Sequence, residues 1–154
     1  MSLGERVAAM DDGHVVFGAV FAVANRLQRV LDQVMPEVTA KQWWLLVTLS
    51  MFDEPPTLGE LAEAADTSHQ NTRQVLDKLA DKGFVKLVPD QNDGRVRRVL
   101  ATAMVDEWGQ ATAGQARDFM TAMYAQLDPD ELAAVASGLL RIHDALGVLD
   151  KEKK

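Results

Sequence analysis

Apolar residues return every third or fourth position through most of the chain, and the rhythm gives way to short β-prone runs between residues 84 and 100. From about Gly13 to Met35, Phe17, Val20, Phe21, Ala24, Leu27, Leu31 and Val34 form one stripe, and the stretch stops before Pro36. This stripe is broad for a helix with no neighbour before it in sequence, which predicts packing across a subunit boundary. Thr39 with Gln42 three residues later marks the next start, because a hydroxyl and an amide at that spacing satisfy each other's free backbone N–H. The run QWWLLVTLSMF is apolar nearly all round and predicts a central helix buried on most sides. Asp53 to Pro56, with two adjacent prolines, ends it. Residues 1–12 are expected to be poorly ordered.

The stretch from Thr57 to Thr102 has a different organisation. Thr57 and Glu60 repeat the reciprocal capping spacing, and Leu58, Leu61, Ala62 and Ala65 follow at helical intervals. Asp66 and Thr67 make a turn, and Ser68 caps the next helix. In that helix Thr72, Val75, Leu76 and Leu79 form the buried stripe, leaving His69, Gln70, Asn71, Arg73, Gln74 and Asp77 on the remaining surface. Gly83 ends it as a left-handed residue after the last turn. Phe84–Val88 and Val96–Leu100 are β-prone and are separated by Pro89, Asp90, Gln91, Asn92, Asp93 and Gly94, which predicts a hairpin with Arg95, Arg97 and Arg98 on its returning strand. Short helix, turn, longer helix with an outward polar face, and arginine-rich hairpin are the parts of a winged helix-turn-helix.

Thr102 caps a further helix to about Leu127, carrying Trp108, Phe119, Met120, Met123 and Tyr124 as its large apolar residues. Asp128, Pro129, Asp130 and Glu131 restart a helix with a capping aspartate, proline in the first turn and acids at the positive end of the dipole. Leu132, Val135, Leu139, Leu140, Ile142, Leu146 and Leu149 supply its apolar face, and Lys151–Lys154 is expected to be a frayed tail. A first helix and two terminal helices, all with exposed stripes, are best satisfied by homodimerisation.

The segment from Thr57 to Thr102 resembles the MarR family of bacterial transcription regulators. The resemblance is carried by the capped start at Thr57, Thr67 and Ser68, Asp77–Leu79, Lys82–Val85, the wing residues Asp93, Gly94 and Arg95, and the closing Ala101 and Thr102. Gly94 stands where the family often has another arginine. The resemblance implies a mainly α fold with a small β-wing. It also implies one domain over residues 1–154, with dimerisation helices at 13–35 and 103–149 and a DNA-binding lobe at 39–102. Arg95 would reach the minor groove with Asp93 bracing it. A small aromatic or anionic effector would bind between the dimer helices and the lobe, where Phe21, Trp43, Trp44 and Trp108 are the candidate lining.

Composition changes the picture little. The 154 residues, 47% apolar and 25% charged, are those of an ordinary globular chain. Without a continuous apolar run long enough to span a bilayer, no membrane association is expected, and the chain is expected to be cytoplasmic. The absence of cysteine excludes disulfides and thiol redox sensing. The net charge of −7 at first opposes DNA binding, but its location matters more. From Ser68 to Leu100 seven Lys/Arg face four acids, giving +3, so the remainder, with nine basic and nineteen acidic residues, carries −10.

The expected chemistry is therefore recognition and not catalysis. Amide side chains pair bidentately with adenine and arginine with guanine, which makes Ser68, His69, Gln70, Asn71, Arg73 and Gln74 the candidate major-groove readers. Arg95, Arg97 and Arg98 suit phosphates or a narrow minor groove. His14, His69 and His143 are too scattered for a metal site, and no phosphate-cradling glycine loop, nucleophile arrangement or carboxylate pair stands out, so no cofactor and no enzymatic activity are expected. The expected function is binding of a pseudo-palindromic double-stranded operator, most often to repress. A winged-helix protein-interaction module, or a small-molecule sensor without DNA affinity, are the competing readings.

Overall fold

The computed structural model describes residues 1–151. In chain order the elements are α1 (Leu3–Val7), α2 (Asp12–Val34), α3 (Ala40–Leu49), α4 (Leu58–Ala64), α5 (His69–Asp81), β1 (Val85–Pro89), β2 (Arg97–Ala101), α6 (Ala103–Tyr124) and α7 (Pro129–Lys151). Two compact units result, one of residues 1–109 and one beginning at Gln110, with the division inside α6. The mainly helical class with a two-stranded wing agrees with expectation. Of the tail expected at Lys151–Lys154, Lys151 is the last residue of α7 and the others lie outside the described residues.

Capping chemistry sets most of the helix starts. Thr39 accepts from the Gln42 backbone N–H at 3.3 Å while Gln42 Oε1 accepts from the Thr39 N–H at 3.1 Å. Thr57 and Glu60 make the same pair at 3.2 and 2.7 Å. Asp128 and Glu131 do so at the start of α7, both at 2.9 Å. Residues 1–12 correct the expectation of poor order: Ser2 and Glu5 form this reciprocal pair too and start the short helix α1.

One core holds the first unit together. Leu45, Leu46 and Leu49 of α3, Leu61 of α4, Leu76 and Leu79 of α5, and Phe84, Val85 and Val99 of the hairpin region are buried against one another. Trp43, Val75, Leu87, Val105 and Trp108 pack on its margin, with the Phe84 and Trp108 rings edge to face at 5.9 Å. α3 is less enclosed than its sequence suggests. It stops at Leu49, Trp44 is 45% exposed, and Met51 lies outside it and is exposed, because α3 packs one face on the core and turns Lys41 and Trp44 outward.

α5 ends as its glycine predicts. Gly83 has φ +83°, its N–H donates to Ala80 O, and the Phe84 N–H donates back to Leu79 O, both at 2.9 Å. That bond occupies Phe84, so the first strand begins one residue later than predicted. β1 and β2 then pair antiparallel from Val85↔Ala101 to Pro89↔Arg97. Thr102 closes the lobe by donating its hydroxyl to Gly83 O at 2.7 Å and accepting from the Met104 N–H at 3.3 Å.

The N-terminal part of the α2 stripe and most of the α7 stripe stay uncovered in the isolated chain, whereas Leu31 near the end of α2 is buried. Phe17 and Phe21 of α2 stack edge to face at 5.3 Å and are 69% and 61% exposed, while Leu140, Leu146 and Leu149 of α7 are exposed. One sequence expectation needs amending here. Pro129–Asp150 is long and apolar enough to cross a membrane by length and composition, with a mean hydropathy of 1.5. The many Leu, Ala and Val residues raise the average even though charged groups interrupt every run. Arg141, His143 and Asp144 interrupt the helix part-way along, and such groups are costly in a bilayer core. The same composition suits a helix that packs against protein.

Candidate nucleic-acid interface

The face of α5 that turns away from the core starts with a helix cap. Ser68 accepts from the Asn71 N–H at 3.2 Å, so its oxygen first serves to begin α5. The turn before it is tight. Asp66 adopts φ +52°, which an aspartate tolerates better than most residues, and the Thr67 N–H donates to Ala62 O at 3.0 Å. Trp44 Nε1 reaches Ala65 O at 3.3 Å and ties this turn to α3.

Gln70, Arg73, Gln74 and Asp77 fall at i, i+3, i+4 and i+7 and share one exposed face. Arg73 Nε donates to Asp77 at 3.0 Å, with both side chains more than half exposed. This leaves the two terminal nitrogens of Arg73 for another acceptor, and an exposed pair of this kind holds weakly enough to yield. Asn71 is partly committed, since Nδ2 donates to Thr67 Oγ1 at 3.1 Å. His69 leans on α4: a side-chain carbon added at Gly59 would lie 3.0 Å from His69 Nε2, so glycine there makes room for the imidazole. Lys41 and Trp44 from α3 and Thr67, Asn71 and Thr72 from the turn and α5 share the walls of a recess of about 150 Å3.

The wing is built by two aspartates. Asp90 Oδ1 accepts the N–H groups of Asn92 and Asp93 at 2.8 and 3.1 Å, and Asp93 Oδ1 accepts that of Arg95 at 3.0 Å. The Asp90 N–H closes the loop on Val96 O at 2.9 Å. These turns consume Arg95 and Val96, so β2 begins at Arg97 and Arg95 sits in the turn and not on the strand as predicted. Asp93 braces the Arg95 backbone, and the Arg95 side chain is exposed beyond it. Arg97 is exposed on β2.

Arg98, grouped in sequence with the other two arginines, is placed differently. It is half-buried, its Nε donates to Asp90, and its Nη1 donates to Pro55 O at 2.7 Å. The Val99 N–H adds a bond to Pro56 O at 2.8 Å. Arg98 therefore fastens the root of the wing to the loop before α4.

The Arg98 hydrogen bond, followed by the Asn92 and Asp93 N–H groups, lowers the Asp90 pKa from 3.8 to about 2. A carboxylate held low in the folded state stabilises the wing above its ordinary pKa, and that contribution is lost as pH falls towards 2. Acidification from pH 4 to pH 2 is thus expected to loosen the wing, read as broadening of the amide resonances of residues 90–96. In Asp90→Asn this pH-dependent step is expected to disappear.

The aromatic residues suggested as effector lining do not converge. Trp44 lines the recess beside α5, whereas Phe21, Trp43 and Trp108 do not. Trp43 packs on the core, Trp108 on Phe84 and Phe21 on Phe17. Among the described residues no group of His, Cys, Asp and Glu is arranged to hold a metal ion.

A MarR family model matches residues 37–96, from the approach to α3 through the wing. No curated protein matches the chain by sequence. Among solved structures, Bordetella bronchiseptica BpsR, described for regulation of its DNA binding by 6-hydroxynicotinic acid, is similar at 20% identity with a TM-score of 0.74 over 88% of this chain and 95% of its own. Streptomyces coelicolor PcaV in complex with its natural ligand is similar at 22% identity with a TM-score of 0.72, covering 90% and 95%. S. aureus MepR in complex with DNA is similar at 17% identity with a TM-score of 0.75, covering 84% and 97%.

Proposed function

We propose that this chain, whose residues 37–96 match a MarR family model, is a homodimeric regulator of transcription that binds a specific double-stranded DNA sequence. One observation carries the reading. A capped helix with an exposed face of Gln70, Arg73 and Gln74 and a wing presenting Arg95 and Arg97 are rooted in the same core. Side-chain amides and guanidinium groups are the groups that read base edges, and wing arginines suit the adjoining backbone or minor groove. Ser68 starts the helix, Asn71 fixes the turn, and Asp93 and Arg98 hold the wing in shape.

The uncovered stripes of α2 and α7 support dimerisation, since contiguous apolar surface of this kind marks a partner site. A two-fold dimer places its recognition helices about 34–36 Å apart, the spacing of successive major grooves. Promoter occlusion, and hence repression, is the simplest consequence, exerted in the cytoplasm where the chromosome lies. BpsR and PcaV support control by a small effector. Fluorescence anisotropy against the protein's own upstream DNA and a scrambled duplex, at two salt concentrations, tests the proposal. Tighter binding to the upstream DNA, weakening steeply with salt, is the expected result; equal and weak binding to both duplexes counts against it.

A further inference from the structure

We propose that Lys41, Thr67 and Asn71 form a phosphate-contact site beside the recognition helix, so that DNA is held from α3 as well as from α5 and the wing. The inference rests on the DNA-binding reading above and extends it to residues outside the helix-turn-helix and wing.

Lys41 lies in the first turn of α3, more than twenty residues from the turn before α5, yet it shares the walls of one recess with Thr67 and Asn71. Its side chain is exposed, and among the described residues no carboxylate pairs with it. Three other cations of the lobe are already engaged. Lys82 donates to Glu37 O at 2.7 Å and Gln42 Oε1 at 2.9 Å, Arg98 holds Asp90 and Pro55, and Arg73 rests on Asp77. Lys41 is a surface charge available for a partner.

The two polar neighbours suit an anionic acceptor. Thr67 Oγ1 accepts from Asn71 Nδ2, so the Thr67 hydroxyl proton must be donated elsewhere, and a phosphate oxygen accepts it. Trp44 Nε1 on Ala65 O ties the turn that carries Thr67 to the helix that carries Lys41, which fixes their spacing before DNA arrives. A helix lying in a major groove has a phosphodiester strand along each rim, and Lys, Thr and Asn contacts to those strands set register without reading sequence. Lys41, beside the first turn of α5, is placed for such a rim.

The test compares wild type, Lys41→Ala and Lys41→Arg on the upstream and scrambled duplexes across a salt series. Removing one phosphate contact is expected to make the slope of log K against log salt shallower by about 0.9, so that between 50 and 200 mM salt wild type loses roughly 3.5-fold more affinity than Lys41→Ala. The loss at low salt is expected to be the same factor on both duplexes, and Lys41→Arg is expected to restore the slope. A wild-type slope in Lys41→Ala would overturn the proposal, as would a loss confined to the upstream duplex, which would make Lys41 a reader of sequence. If wild type binds neither duplex, the DNA-binding reading itself fails, an outcome distinct from an unchanged slope.

Discussion

Leu79→Ala is expected to destabilise the winged-helix lobe by about 2–5 kcal/mol and to lower the urea midpoint accordingly. Leu79 is fully buried where α3, α4, α5 and the hairpin meet, among Leu61, Leu76, Phe84 and Val99. Its carbonyl also accepts the Phe84 N–H that closes α5, so its neighbours are held by backbone bonds and cannot readily collapse into the vacated space. Native domains of this size carry about 5–15 kcal/mol of stability in total, so the substitution removes a large share. DNA binding is expected to weaken with unfolding at 37 °C and to recover on cooling. A midpoint within experimental error of wild type would mean that this core does not support the lobe.

Arg73→Ala is expected to cost about 1–3 kcal/mol of binding to the upstream DNA, a loss of roughly 5- to 150-fold, with little change on a scrambled duplex. The side chain is exposed and its pair with Asp77 is a surface i, i+4 contact worth about 0.3–0.5 kcal/mol, so the fold should barely register the change. Unaltered thermal unfolding combined with lost discrimination separates this variant from Leu79→Ala. Asp77→Ala provides the counter-test: freeing the guanidinium should leave specific affinity near wild type or raise it slightly. An Arg73→Ala protein that binds the upstream DNA as tightly as wild type would remove this residue from the contact set.

Much of this was legible because the rules involved are local. The capping pairs at Thr39 and Thr57 and the serine cap at Ser68 act over three residues, and Gly83 needs only its own positive φ. The same signal was present at Ser2 and Glu5, where a short helix formed in a stretch read as poorly ordered. Strand boundaries shifted because Phe84 is consumed by the end of α5 and Arg95 by the turns that Asp90 and Asp93 create. The residues that sequence placed least well depend on distant partners. Arg98 resembles its neighbours until Pro55, 43 residues away, is brought beneath it. Lys41 looks like any helix-surface lysine until folding sets it beside Thr67 and Asn71. The four aromatic residues proposed to line an effector site are spread in the isolated chain, Trp43 and Trp108 on the core margin, Phe21 on Phe17 and Trp44 beside α5.

Selection of bound duplexes from a random library, followed by sequencing, shows whether the protein recognises a sequence at all. A homodimer that reads sequence through two copies of α5 predicts enrichment of one two-fold symmetric site, its half-sites about 10–10.5 base pairs apart centre to centre, and loss of that enrichment in Arg73→Ala. A library that emerges without an enriched motif, while the protein remains folded, would contradict sequence-specific DNA recognition by this chain.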